Sequence, residues 1–205
     1  MRLFVALLPP PAALAELTAA LAPVRAQEHA GALRWTAPES WHFTLAFLGE
    51  VPDEARPGLD ERLARAAHRH SPGELRLSGA GRFGDRTLWT GAEGDLTGVG
   101  RLADTVRAAA RRAGVPADEE HGFHPHLTLA RAQRRSHVAL RPFADALAGF
   151  RGSPWPVTDL HLVASIPPRS GVPGEQPHYR TVASWPLGRR PGTGGPPAGA
   201  PGGAG

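Results

Sequence analysis

The chain has 205 residues, 41% hydrophobic and 20% charged, with no cysteine and a formal charge of +4 in which all 23 basic residues are arginines. That length buries an ordinary core as one sizeable domain or two fused lobes, no apolar run approaches the ~20 residues that span a bilayer, and the lack of cysteine excludes a disulfide framework, a thiolate metal site and a cysteine nucleophile. A cytoplasmic location is expected. The positive excess fits an anionic partner, because guanidinium groups bind phosphate bidentately, although an all-arginine set beside so much Ala, Gly and Pro equally reflects a GC-rich genome.

Residues 2 to 8 read as a strand. They resemble the start of a signal peptide, but the apolar run stops at Pro9-Pro10-Pro11 and no cleavage-type site follows. Residues 10 to 25 read as a helix with proline near its start, where a missing N–H costs little. Residues 34 to 35 and 41 to 48 are strand candidates on either side of a turn. Residues 53 to 70 form a helix, with Leu59, Leu63, Ala66 and Ala67 at near-helical spacing. Residues 74 to 77 and 87 to 90 read as short strands separated by a glycine-rich loop over 79 to 85, and residues 95 to 113 as a helix stopped by Gly114-Val115-Pro116. A strand over 123 to 131, a helix over 136 to 150 and strands over 157 to 165 and 178 to 185 complete the order. The alternation predicts two related α+β lobes. Residues 189 to 205, nearly all Gly, Pro and Ala, cannot bury apolar surface and are expected to be a disordered tail, leaving 1 to 188 as a single bilobal domain.

Two runs repeat one unit. Trp41-His42-Phe43-Thr44-Leu45-Ala46-Phe47 and Pro125-His126-Leu127-Thr128-Leu129-Ala130-Arg131 each set His-x-Thr in an apolar, strand-like stretch, the histidines being 126 − 42 = 84 residues apart. Side chains two apart on a strand share a face, so each His projects with its Thr while Phe43 and Leu45, or Leu127 and Leu129, point into a core. Two such strands side by side bring two imidazoles to one reacting centre, one as general base and the other as general acid, with ordinary pKa values near ~6.5. Alone, either histidine is more often a hydrogen-bonded structural residue, and threonine on a strand a packing choice. The pair is what points to catalysis. His121 and His124 beside His126 imitate a metal site, but Pro125 breaks any helical register and a solvated loop without metal is expected. His68, His70, His137, His161 and His178 read as surface residues. The glycines over 79 to 84 lack the Gly-Lys-Ser/Thr ending of a phosphate-binding P-loop.

Together with Arg2-x-Phe4-x-Ala6, Phe47-Leu48-Gly49, Phe83-Gly84 ahead of Leu88-Trp89, and Tyr179 with Trp185-Pro186-Leu187, the paired units resemble the RNA 2′,3′-cyclic phosphodiesterases of the 2H phosphoesterase superfamily, historically labelled 2′-5′ RNA ligases. The likeness runs from about residue 2 to 188. It implies a bilobal α+β fold, a pseudo-twofold duplication with antiparallel sheets around a central cleft and helices outside. It also implies metal-independent hydrolysis of a terminal 2′,3′-cyclic phosphate to a 2′-phosphate without any cofactor. His42 is then the acid at the leaving 3′-oxygen and His126 the base on water. Thr44 and Thr128 donate to the phosphate oxygens and Arg131, near the exit of its strand, adds a charged donor. Phe83, Tyr179 and Trp35 are candidates to stack a nucleobase, with core packing the alternative for each. The expected partner is RNA or an oligonucleotide ending in a cyclic phosphate, with no membrane partner, and a monomer is expected. Two rivals use the same residues: a 2′-5′ ligase or phosphodiesterase, and a catalytically idle RNA-binding module.

Overall fold

The first strand, β1 (Arg2–Leu7), shows how the chain builds two faces from one alternation. Leu3, Val5 and Leu7 enter the main core, whereas Phe4 and Ala6 pack with Val163 in a small separate cluster on the other side. The elements that follow are α1 (Pro11–Arg25), β2 (Leu33–Trp35), β3 (Phe43–Glu50), α2 (Arg56–His68), β4 (Gly73–Phe83), β5 (Thr87–Gly94), α3 (Leu96–Arg112), β6 (Leu127–Ala132), α4 (Arg141–Leu147), β7 (Trp155–Val157), β8 (Asp159–Ile166) and β9 (His178–Pro186). This computed structural model describes residues 1–117, 124–133, 138–168 and 176–188. His121, His137 and the expected tail lie outside the described residues. Among those described, no helix is long and apolar enough to cross a membrane.

Local sequence explains the helices. Proline stands at the start of α1, whose Ala13, Leu17, Leu21 and Val24 form one buried stripe. Asp95 caps α3 by accepting the Gly98 N–H at 2.8 Å. The strands form two antiparallel sheets, ordered β3-β1-β8-β9 and β2-β6-β5-β4-β7. Helices α2 and α3 pack together behind the first sheet, against β9 and β3, while α1 and α4 cover β4 of the second. The opposite faces are left to a cleft.

The duplication expected from the paired motifs is present, but the halves are interleaved. β1, β3 and β4 begin at Arg2, Phe43 and Gly73, and β5, β6 and β8 at Thr87, Leu127 and Asp159, the spacing that separates His42 from His126. The last strand of each unit crosses over: β4 pairs with β5 in the second sheet, and β8 pairs with β1 in the first. Each lobe therefore contains chain from both halves.

Three local expectations need correction. The run over 79 to 85 is not a loop between short strands, because β4 continues to Phe83 and forms a long hairpin with β5. Gly79 takes φ +61 beside a bulge, and a Cβ on Gly81 would run into the Trp89 indole. The glycines therefore serve close approach within the sheet. His161 is half-buried on β8, between β1 and β9, where burial lowers its pKa. His70, also half-buried, bonds the Thr105 hydroxyl at 2.9 Å, and burial followed by the charge of Arg101 lowers its pKa. Neither is a plain surface residue.

Candidate active site

Both His-x-Thr units face one cleft of about 1050 Å³ between the sheets, lined by His42 and Thr44 from β3 and its approach, and by His126 and Thr128 from β6 and its approach. The alternation that places them there holds as expected. Phe43, Leu45, Leu127 and Leu129 are each at most 2% exposed on the core side.

The two imidazoles are anchored in the same way. His42 Nδ1–H donates to the Ser40 carbonyl at 2.7 Å, and His126 Nδ1–H donates to the His124 carbonyl at 2.9 Å, each two residues back along the chain. Such a bond fixes the tautomer and leaves Nε2 as the ring nitrogen that exchanges a proton. An aromatic edge holds each ring from the side. Tyr179 meets His42 at 5.0 Å and 84°, and Phe83 meets His126 at 4.7 Å and 86°. Phe4 lies against His42 at 4.6 Å, and burial there lowers the His42 pKa to about 4, with the charge of His126 adding to the effect and the Ser40 carbonyl opposing it. Among the described residues neither threonine hydroxyl has a hydrogen-bond partner of its own, so both are available to a ligand.

Arg131 reaches the cleft by a device that periodicity hides. An offset of five from His126 puts it on the opposite face of a regular strand. In β6, however, Thr128 pairs with Trp89 and Ala130 with Leu88, so Leu129 is an extra residue. Leu129 and Ala130 are consequently both buried, and Arg131 swings back to the cleft face. It sits within the ladder, not at a fraying exit, opposite Thr87 on one side and Arg34 on the other. Its Nη1 donates to Thr87 Oγ1 at 3.4 Å. β3 carries the matching bulge at Leu45, since Val5 pairs with Ala46 and Ala6 with Thr44. That brings Phe47, 47% exposed, to the corresponding place.

Of the three candidate stacking residues, Phe83 (43% exposed) and Tyr179 (37%) line the cleft. Trp35 does not. Its neighbours Arg34 and Thr36 face the cleft, so alternation sends the indole to the core, against Phe143 at 6.4 Å, with its Nε1–H on the Ala30 carbonyl. His124 is exposed beside Trp89, and among the described residues no three His, Cys, Asp or Glu are grouped to hold a metal ion. Sequence reasoning missed Arg34 and Thr87, which only strand pairing reveals, and Trp89, whose ring lies 5.0 Å from that of His124 and 6.4 Å from that of His126.

Comparison with known proteins agrees with this geometry. Residues 8–166 match the 2′-5′ RNA ligase superfamily. The chain is 31% identical over 157 residues to an RNA 2′,3′-cyclic phosphodiesterase of Geobacillus stearothermophilus, covering 75% of this chain but only 47% of that protein. It is 32% identical over 147 residues to one from Aeropyrum pernix, covering 70% and 80%. The chain thus spans about half the length of the first relative and most of the second. Among solved structures, apo LigT of Escherichia coli superposes with TM-score 0.71 at 27% identity, over 92% of this chain and 98% of LigT; LigT has also been crystallised with phosphate and with 3′-AMP. TT0787 of Thermus thermophilus gives 0.69 at 30% identity, over 93% and 100%. With the family match, the shared two-sheet fold and the duplicated His-x-Thr strands in agreement, the chain belongs to the 2′-5′ RNA ligase superfamily of 2H phosphoesterases.

Proposed function

We propose that this chain hydrolyses the 2′,3′-cyclic phosphate at the end of an RNA or oligonucleotide, leaving a 2′-phosphate. The observation that carries the reading is the pair of imidazoles facing one cleft, each with Nδ1–H fixed on the carbonyl two residues back. His126 Nε2 takes a proton from water as the water oxygen bonds to phosphorus. The bond from phosphorus to the 3′-oxygen breaks, and His42 Nε2–H protonates that oxygen. Thr44, Thr128 and Arg131 hold the non-bridging oxygens as their charge redistributes. Tyr179 and Phe83 offer ring faces to nucleobases at the mouth. The relatives named as RNA 2′,3′-cyclic phosphodiesterases and the phosphate and 3′-AMP bound by LigT support a phosphorylated nucleoside end as the ligand class.

Burial of His42 favours one variant. With its pKa lowered to about 4 in the free protein, His42 is neutral at pH 7, so it either gains a proton when the anionic phosphate binds or serves as the base. Exchanged roles with a reversed substrate would expel the 2′-oxygen and yield a 3′-phosphate. Phosphorus NMR of a cyclic-phosphate dinucleotide incubated with the protein in EDTA distinguishes these outcomes. A 2′-phosphate product formed at full rate is expected. No turnover would overturn the reading, and turnover only after zinc or manganese is restored would overturn its metal-independent form.

A further inference from the structure

The cleft carries one cation more than a single terminal phosphate needs. Arg34 on β2 stands directly opposite Arg131 on β6 in the antiparallel ladder, and both line the cleft. Directly opposed side chains have Cβ atoms about 5 Å apart, and like charges in that arrangement are destabilising. Elsewhere in the protein arginines take carboxylate partners: Arg56 has Asp60, Arg82 has Asp85, Arg107 has Asp104 and Arg151 has Glu93. Among the described residues, neither Arg34 nor Arg131 has an ion pair, and no aspartate or glutamate lines the cleft. Arg2, a further cleft arginine, differs, since it faces Glu50 across the ladder. Two opposed, unpartnered guanidinium groups in an acid-free cleft are an arrangement that an anionic ligand stabilises.

We infer that Arg34 binds a second phosphate, the phosphodiester immediately 5′ of the terminal nucleotide, so that the substrate is a chain of at least two nucleotides and not a nucleoside cyclic monophosphate. This rests on the reading that the terminal cyclic phosphate lies between His42 and His126. Arg131 is two residues past Thr128 by face, after the bulge, and so reaches the terminal group. Arg34 is one strand farther out, toward the open edge formed by β2, where the polynucleotide would leave the cleft. Each guanidinium ends a long stem, so two heads rooted side by side spread to successive phosphates.

The test is a binding cycle in the His126→Ala background, which holds the probe uncleaved. The probes are a dinucleotide ending in a 2′,3′-cyclic phosphate, joined by an ordinary phosphodiester or by a neutral methylphosphonate. Arg34→Ala is expected to weaken the charged-linkage probe about tenfold and the neutral one at most about threefold, with Arg34→Lys between parent and Arg34→Ala for the charged probe. Equal losses on both linkages, or no loss on either, would overturn the assignment. So would a lower melting temperature for Arg34→Ala, because removing one of two opposed like charges leaves the free protein at least as stable. Turnover by the unmutated protein is measured separately on the charged dinucleotide. Its absence would sink the reaction while leaving the binding cycle able to judge Arg34.

Discussion

The two His-x-Thr strands share motif, bulge and anchoring, and differ in what surrounds the histidine. Around His42 stand Phe4, Phe47 and Tyr179; Thr87, Arg131 and Arg34 surround the later part of the other strand. The bulge at Leu45 delivers Phe47 to the cleft, and the bulge at Leu129 delivers Arg131. One backbone device thus presents a ring on one side and a cation on the other. Duplication supplies a near-symmetric pair of imidazoles, which alone cannot tell one side of a bound phosphate from the other. The fifth residue after each histidine breaks that symmetry and gives the substrate a direction.

The largest expected effect tests whether both sides are needed at all. His42→Ala and His126→Ala should each lower turnover of a cyclic-phosphate dinucleotide by at least ~10²-fold, the scale of a lost acid or base, while circular dichroism shows a folded protein. Near-normal turnover in either variant would reduce the pair to a single working histidine. Next in size is Arg131→Ala, expected to remove about 2–4 kcal/mol of transition-state stabilisation, seen in kcat as well as KM, with a smaller loss for Arg131→Lys. The exchange Phe47→Arg with Arg131→Phe sharpens the point. If the sides are specialised it restores nothing, and recovery of activity would show them to be interchangeable.

The parts of this site written in local periodicity were legible in the sequence, and the parts written in strand pairing were not. His42, Thr44, His126 and Thr128 followed from a period of two in apolar runs, and their burial-facing partners Phe43, Leu45, Leu127 and Leu129 followed from the same rule. The route of Arg131 did not, because one unpaired residue in β6 reverses the parity of everything after it. Arg34 was invisible as a site residue, since its position opposite Arg131 depends on contact between segments almost 100 residues apart in the chain. Trp35 was misassigned for the same reason: without the β2 pairing, nothing said which face of that short strand meets the cleft. The crossing of β4 and β8 between sheets likewise leaves no local mark, so the paired lobes were readable and their interleaving was not.

A smaller effect concerns the rings at the mouth. Tyr179→Ala and Phe83→Ala should each raise KM about tenfold if a base stacks there, with little change in kcat. Because Tyr179 also touches His42 and Phe83 touches His126, a fall in kcat without a rise in KM would recast the ring as a support for its histidine.

The smallest expected effect is a proton count, and it probes the apolar side alone. In the free protein His42 has a pKa of about 4, well below the ordinary 6.5, chiefly because burial disfavours its charged form. The unfolded chain binds that proton more readily, so this group stabilises the fold above pH 6.5 and that contribution is lost as pH falls toward 4. Binding works in the opposite sense. A monoanionic cyclic phosphate in the cleft favours the imidazolium, so the complex takes up a proton and affinity strengthens as pH falls through the window between the bound pKa and 4, by at most about tenfold per pH unit. Proton NMR of the His42 ring in the His126→Ala protein, with and without a nucleoside 2′,3′-cyclic phosphate, reads this directly. A free pKa near 4 that climbs on binding fits an acid charged by its own substrate. If the ring stays neutral through pH 5 in the complex, the role of acid passes to His126, and the aromatic side of the cleft becomes the side that activates water.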